Sequence, residues 1–221
     1  MKLFLGAVAK FMLGVVLVGA LIFLPAGTWA YGNGWLLMGI LFVPMFAAGL
    51  VMLVKNPRLL ASRLDAKETQ REQSLVVKLS GVMFIAGFVV AGLGVRFHWY
   101  MLPQPVVIGG AVLFGLAYLL YAFVLHQNTY LSRTIKVEAD QKVIDTGLYG
   151  IVRHPMYSAT VLLFLSIPIV LGSVYALLIF CVYPFLIAKR IRHEEAFLEK
   201  ELPGYAAYQQ KVRYRLIPYI W

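Results

Sequence analysis

Long apolar runs alternate with short polar connections along this chain, and the lengths of the runs carry the first prediction. A helix needs about 20 apolar residues to cross a hydrocarbon core. Four stretches match that length: Leu3 to Leu24, Trp35 to Val54, Leu75 to Val95 and Val106 to His126. A fifth apolar region, Ser158 to Ala188, is long for one crossing and short for two. Pro168 and Gly172 sit near its middle, with Ser173 beside them, where a reversal of the chain would fall. A bent helical hairpin is therefore expected, and a single tilted, kinked helix is the alternative. The pattern predicts an all-α integral membrane protein: a multi-span helical bundle with four clear spans plus a C-terminal hairpin, five or six crossings in all. It also suggests a division into residues 1–126, the N-terminal spans with an amphipathic connection, and residues 127–221, a membrane-boundary region with hairpin and tail.

Composition agrees with the pattern. Of 221 residues, 61% are hydrophobic and 14% charged, more apolar surface than a water-soluble domain can cover. The first run is as long as a full span, Lys10 interrupts it and further spans follow, so a retained first helix is expected rather than a cleavable signal. Cys181 is the single cysteine, which excludes an intrachain disulfide framework. His98, His126 and His193 have no paired ligand spacing, and no metal is expected.

The formal net charge of +10 raises the possibility of nucleic acid, but the placement of the basic residues points to the bilayer instead. Lys55, Arg58, Arg63, Lys67, Arg71 and Lys78 flank the second connection; Arg133, Lys136, Lys142 and Arg153 lie in the fourth; Lys189, Arg190, Arg192, Lys200, Lys211, Arg213 and Arg215 follow the last apolar run. The first connection has no Lys or Arg between Pro25 and Gly34, and the third has only Arg96. Basic residues near span ends favour the cytoplasmic side. Both termini and the C-terminal tail are therefore expected there. All acidic residues fall in the same connections and tail, so ionisable chemistry belongs at that membrane boundary. In the second connection, Asn56 is suited to cap a helix with Pro57 at its first position and Leu59, Leu60 and Leu64 on one face, lying on the membrane surface. The polar half after Asp65 reads equally well as a solvated connector.

Two C-terminal stretches carry the candidate chemistry: "GLYGIVRHPMYSATVLLFL" from Gly147 and "AKRIRHEEAFLEKELPGYAAYQQKVRYRLIP" from Ala188. In the first, Pro155 suits the start of a helix whose free amides could face an anion. His154 offers ring nitrogens, and Tyr149 and Tyr157 offer rings and hydroxyls. The same residues also fit a plainer reading, with Arg153 snorkelling to the interface and the tyrosines joining an aromatic belt. In the second stretch, Arg190 and Glu194 are four apart and share a helical face. Glu195 points elsewhere and is expected to support neighbouring arginines or the tail. Tyr205 and Tyr208 serve either packing or closure over a site.

In combination these stretches resemble the isoprenylcysteine carboxyl methyltransferase family: a glycine and tyrosine before Arg-His-Pro-x-Tyr, an apolar hairpin, then paired glutamates before a Gly-x-x-Tyr-like tail. The likeness covers about Lys136 to Pro218; Leu148 and Ala159 depart from the family pattern without removing a functional group. It implies S-adenosyl-L-methionine as methyl donor, contacted by Gln141, Lys142, Val143, Ile144, Tyr149, His154, Pro155, Met156, Tyr157 and Glu194. It implies Arg190 as the residue that holds a substrate carboxylate, with Arg190 and Glu194 catalytic. The activity implied is carboxyl methylation of an isoprenylcysteine or related isoprenoid at the cytoplasmic membrane face. The other classes considered are a phospholipid amine N-methyltransferase, a membrane reductase using NADPH and a non-catalytic lipid-binding protein. All versions of the methyltransferase reading require Tyr157 and Glu194 to line one cavity at one edge of the bilayer.

Overall fold

In a bilayer core the backbone amides have no water to bond, so apolar runs must satisfy them internally as helices. The computed structural model describes residues 2–64, 71–128 and 141–221. Among them the chain forms α1 (Lys2–Ala26), α2 (Gly32–Lys55), a short α3 (Pro57–Leu64), α4 (Arg71–Arg96) and α5 (Gln104–Gln127). After the undescribed stretch come a 3-10 turn (Gly147–Gly150), α6 (Pro155–Val170), α7 (Val174–Phe180), α8 (Tyr183–Glu201) and α9 (Tyr205–Lys211). Five segments are long and apolar enough to cross a membrane: α1, α2, α4, α5 and the α7–α8 run from Val174 to Glu201. The apolar α6, with 16 residues, reaches roughly 24 Å at 1.5 Å per residue, short of the full hydrocarbon thickness.

The fifth apolar region is a hairpin, as expected. Its reversal lies at Leu171 to Ser173, where Gly172 has φ +72°, a conformation that only glycine adopts without steric cost. The Ser173 hydroxyl then caps α7 by accepting from the Ala176 N–H at 3.2 Å. Pro168 lies inside the last turn of α6 rather than in the reversal. A second, milder break separates α7 from α8, where Pro184 falls in the first turn of α8 and cannot donate to a carbonyl one turn back.

The bundle has two chemically different ends. At one end the first and third connections converge on the hairpin turn: the Tyr31 hydroxyl donates to the Leu171 carbonyl, the Leu102 N–H donates to the Gly172 carbonyl at 2.8 Å, and Met101 forms an isolated bridge with Ser173. The other end gathers the ionisable groups. Asn56 caps α3 by accepting from the Leu59 N–H at 3.1 Å, and Leu59 and Leu60 are buried, as the sequence predicts. Lys10, inside the first apolar run, donates to the Leu64 carbonyl at 2.6 Å, where a helix C-terminus has unpaired acceptors. The polar residues that follow Asp65 in this connection, and Arg133 and Lys136 in the fourth, lie outside the described residues.

Between the ends, small residues let helices approach closely. A Cβ on Gly92 of α4 would lie 2.5 Å from the Ile22 carbonyl oxygen and 3.0 Å from the Ala26 nitrogen of α1. One on Gly110 of α5 would lie 2.5 Å from the Ile169 side chain of α6. Phe180 fills the space left by Gly87 and packs edge-on to Phe84 at 5.3 Å between ring centres. Phe84 also meets Phe164 at 4.8 Å, and Phe164 meets Tyr183 at 4.8 Å. This aromatic stack fixes the start of α8 against α4 and α6.

Gly92→Ala forces two backbones apart and is expected to destabilise the protein by about 1–3 kcal/mol, read as a lower apparent melting temperature in detergent. Gly81→Ala in the same helix meets nothing within 4 Å and should leave the melting temperature unchanged or slightly raised.

Candidate functional site

The segment entering α6 is held from both sides. Gly147 has φ +59° and starts the 3-10 turn, whose Leu148 N–H donates to the Gln127 side-chain oxygen at 3.2 Å. His154 precedes Pro155 and is kept out of the helical region, with φ −126° and ψ 59°; Pro155 then opens α6. The tail runs alongside this entry. The Arg153 and His154 N–H groups donate to the Tyr214 and Arg215 carbonyls, each at 2.9 Å, and the Ser158 hydroxyl donates to the Leu216 carbonyl at 2.6 Å.

Glu195 binds these pieces into one unit. Its Oε1 accepts from Arg153 Nε at 2.7 Å and lies 3.1 Å from His154 Nε2, while Oε2 accepts from Arg215 Nε at 2.7 Å. The Arg153 and Glu195 side chains are only 6% and 5% exposed. Arg153 Nη1 also donates to the Val212 and Arg213 carbonyls at 2.7 and 2.9 Å. An ion cluster this enclosed requires every lone pair and proton to find a partner. The supporting role expected of Glu195 is the one it has. Arg153 does not snorkel to water; it is a buried cross-link between the α6 entry, α8 and the tail.

One helical position away, Glu194 and Arg190 face a different group. The Tyr157 hydroxyl donates to Glu194 Oε2 at 2.6 Å and accepts from Arg190 Nε at 2.8 Å. One phenol thus joins the carboxylate and the guanidinium, and Tyr157 and Glu194 lie on the same side of the bundle, as the methyltransferase reading requires. Tyr157, His154 and Arg190 are buried, whereas Glu194 is partly open. The His154 ring stacks on Tyr157 at 5.7 Å. Tyr183 approaches from the start of α8, its hydroxyl 3.3 Å from Thr160 Oγ1.

The remaining candidates divide. Tyr149 is buried, and its carbonyl accepts from the Tyr208 hydroxyl at 2.7 Å. Val143 packs on the small cluster of Leu202, Tyr205, Tyr208 and Val212, which brings the 141–144 segment to the tail; Lys142 is exposed, and Gln141 and Ile144 are partly buried. Asp145 anchors the same segment through Lys211 Nζ at 2.6 Å, and that lysine lowers the Asp145 pKa. Tyr208 is a packing residue. Tyr205 differs, because its hydroxyl is buried with no protein partner among the described residues. Burial first, then the carboxylates of Glu195 and Glu194, raise its pKa, which keeps it a neutral hydrogen-bond donor.

Several groups at this end were not singled out from the sequence. Met156 receives Arg63 from α3, with Nη2 3.4 Å from its sulfur; the same nitrogen donates to the Tyr121 hydroxyl at 2.8 Å. Gln73, fully buried at the start of α4, donates through Nε2 to the Arg190 carbonyl at 3.3 Å. Arg215 completes the Glu195 cluster. Arg63 and Arg215 read in sequence as two of many topology-setting cations, and Gln73 as a helix-end polar residue. Gln73 carries no local signal either, because it stands within the polar run Glu68 to Ser74.

Fold and site define a multi-pass helical membrane protein with a polar centre built from the α6 entry, α8 and the tail. Residues 107–200, from α5 through the paired glutamates, match the sequence model described as the isoprenylcysteine carboxyl methyltransferase (ICMT) family. No curated protein matches the chain.

Removing the Glu195 carboxylate strands buried cations, a change that typically costs about 3–5 kcal/mol. Glu195→Ala is expected to lower the melting temperature strongly and to expose the tail to trypsin at Arg213 and Arg215. Glu194→Gln, at a partly open position, should do neither.

Proposed function

We propose that the protein is an S-adenosyl-L-methionine-dependent methyltransferase acting at the cytoplasmic membrane face on a lipid-like acceptor carboxylate, of which an isoprenylcysteine or related isoprenoid is the expected kind. The observation that carries this reading is the Tyr157 hydroxyl bridging Glu194 and Arg190, within a region matched to the methyltransferase family. The distribution of basic residues supports this face, with both termini cytoplasmic.

The groups present suit such a donor. Glu194 supplies an anion for its ammonium, Tyr205 a neutral donor hydroxyl, and Tyr149, His154 and Tyr157 supply flat faces beside the entry to α6, where the amides following Pro155 open a helix. Met156 and the segment Gln141, Lys142, Val143 and Ile144 complete the proposed contacts. When bound, the donor supplies an electrophilic methyl group on a positively charged sulfur.

The protein's own task is then alignment and desolvation rather than proton removal, since an acceptor carboxylate is already anionic at neutral pH. Arg190 suits the task of orienting it, because a guanidinium presents a planar fork to a carboxylate. Tyr157 holds the Arg190 side chain while donating to Glu194, so the acceptor-orienting and donor-binding groups are positioned by one atom. Charge on donor and acceptor is neutralised as the methyl group moves, a change that a partly dry boundary favours.

Calorimetry with S-adenosyl-L-methionine and, in parallel, NADPH tests the class: the first is expected to bind and the second is not, and the opposite result would establish the reductase reading. Glu194→Gln should weaken donor affinity by roughly tenfold or more. Arg190→Ala should spare donor affinity and lower kcat/KM for a prenylated carboxylate by roughly ten- to a hundredfold; equal loss of both would contradict the division of roles. A preference for phospholipid amine acceptors would identify the N-methyltransferase alternative.

A further inference from the structure

α1 and α2 are pressed together at one end and part at the other. Near the end that holds the hairpin turn a Cβ on Gly34 of α2 would lie 3.2 Å from both Ile22 and Phe23 of α1. Midway, Gly14 comes within 3.7 Å of Phe42, and by Gly49 nothing stands within 4 Å. The separation opens a cleft of about 510 Å³ between the first half of α1 and the last half of α2, closed at the charged end by Leu60, Arg63 and Leu64 of α3. Phe11 and Phe46 form part of its wall, 5.2 Å apart between ring centres. Lys10 and Arg63 are its charged lining residues, and no acidic residue lines it among those described.

Arg63 links the cleft to the candidate site. That guanidinium lines the cleft and touches Met156, next to Tyr157 in the α6 entry, and Tyr121. Neither a thioether nor a neutral phenol cancels its charge. An apolar volume within the range of about 300–1,000 Å³ usual for ligand sites, open towards lipid and ending in two cations, fits a single hydrocarbon chain with an anionic end.

We propose that this cleft holds the hydrocarbon chain of the acceptor, with Arg63 meeting its anionic end at the mouth and Arg190 orienting it at the site, so that α3 contributes an acceptor-binding residue from outside the region matched to the family. The identity of the occupant as acceptor rests on the methyltransferase reading; the chemistry of the cleft does not. A lipid sits with its chain between α1 and α2 and its carboxylate turned to Met156 and the entry to α6. Lys10, held on the Leu64 carbonyl, adds positive potential at the same mouth.

The test uses the full-length protein in detergent micelles and farnesylthioacetate carrying a diazirine at the far end of its chain. Irradiation is expected to label α1 between Phe4 and Leu17 or α2 between Met45 and Leu53. Gly49→Phe fills open space without striking the backbone and should abolish that label. Arg63→Gln should weaken it by roughly tenfold or more, with Arg63→Lys retaining most of it. Melting temperatures identify any variant that has merely lost its fold; should Arg63→Gln do so, Gly49→Phe and the labelled positions still decide. Label elsewhere, label indifferent to Gly49→Phe, or label displaced only by a two-chain phospholipid overturns the proposal. Methyl transfer from labelled donor is measured in the same samples. Cleft labelling without methyl transfer to any acceptor would sink the methyltransferase reading and leave the lipid site; methyl transfer without cleft labelling would do the reverse.

Discussion

A carboxylate on a membrane helix is costly to bury, and Glu195 is buried. It is tolerated because Arg153, His154 and Arg215 surround both its oxygens, and those three residues come from two segments that share no helix with it. The need to satisfy one charge therefore fixes how the entry to α6, the end of α8 and the tail meet. The backbone bonds from Arg153 and His154 to Tyr214 and Arg215 follow from the same constraint, since the side chains can reach Glu195 only if the two segments run side by side. Replacing the whole cluster, carboxylate and cations together, by apolar side chains of similar volume would hold the elements together as well or better, but it would not fix the adjacent helical position, Glu194, at a polar boundary.

That adjacency separates a carboxylate enclosed by cations from one that faces Tyr157. Consecutive residues on a helix point about 100° apart, so anchoring Glu195 in the cluster turns Glu194 and, one turn back, Arg190 towards Tyr157. Gln73 pins the Arg190 carbonyl from α4, and the aromatic stack around Phe84 holds the start of α8. The two groups joined by the Tyr157 hydroxyl are thus preorganised by contacts made elsewhere, which is the arrangement electrostatic alignment requires.

Much of this was legible in the sequence, for identifiable reasons. Run length alone gives the spans, because the hydrocarbon core imposes its thickness on any chain that crosses it. The α3 cap was readable from Asn56 and Pro57 because capping is local. The hairpin was readable from Gly172, although Pro168 proved to lie within α6: proline is compatible with a last helical turn when its neighbours bond around it, as the Ser173 N–H does with the Pro168 carbonyl at 2.9 Å. The different partners of Glu194 and Glu195 followed from helical spacing, which points the two side chains apart. The partners of Glu195, and the reach of Arg63 and Gln73 to the site, were not legible, because a cation that sets topology and one that crosses to another helix have the same signature in a single sequence. Tyr205 and Tyr208 have the same spacing either way; burial and hydrogen bonding separate them.

The bundle's asymmetry links packing to the proposed chemistry. Close glycine contacts between helices are concentrated towards the end where the first and third connections meet the hairpin turn, and there α1 and α2 touch. At the charged end the elements are joined by long side chains from Arg63, Arg153, Arg190 and Arg215 together with the backbone pairing of Arg153 and His154 with the tail, and there α1 and α2 part. A lipid chain must enter from the bilayer and its polar end must stop at the headgroup level, so an opening between helices is useful only at the end where cations wait. A bundle closed equally at both ends would hold the same polar cluster, but it would deny a membrane-borne acceptor any path to Tyr157 and Arg190 except through water.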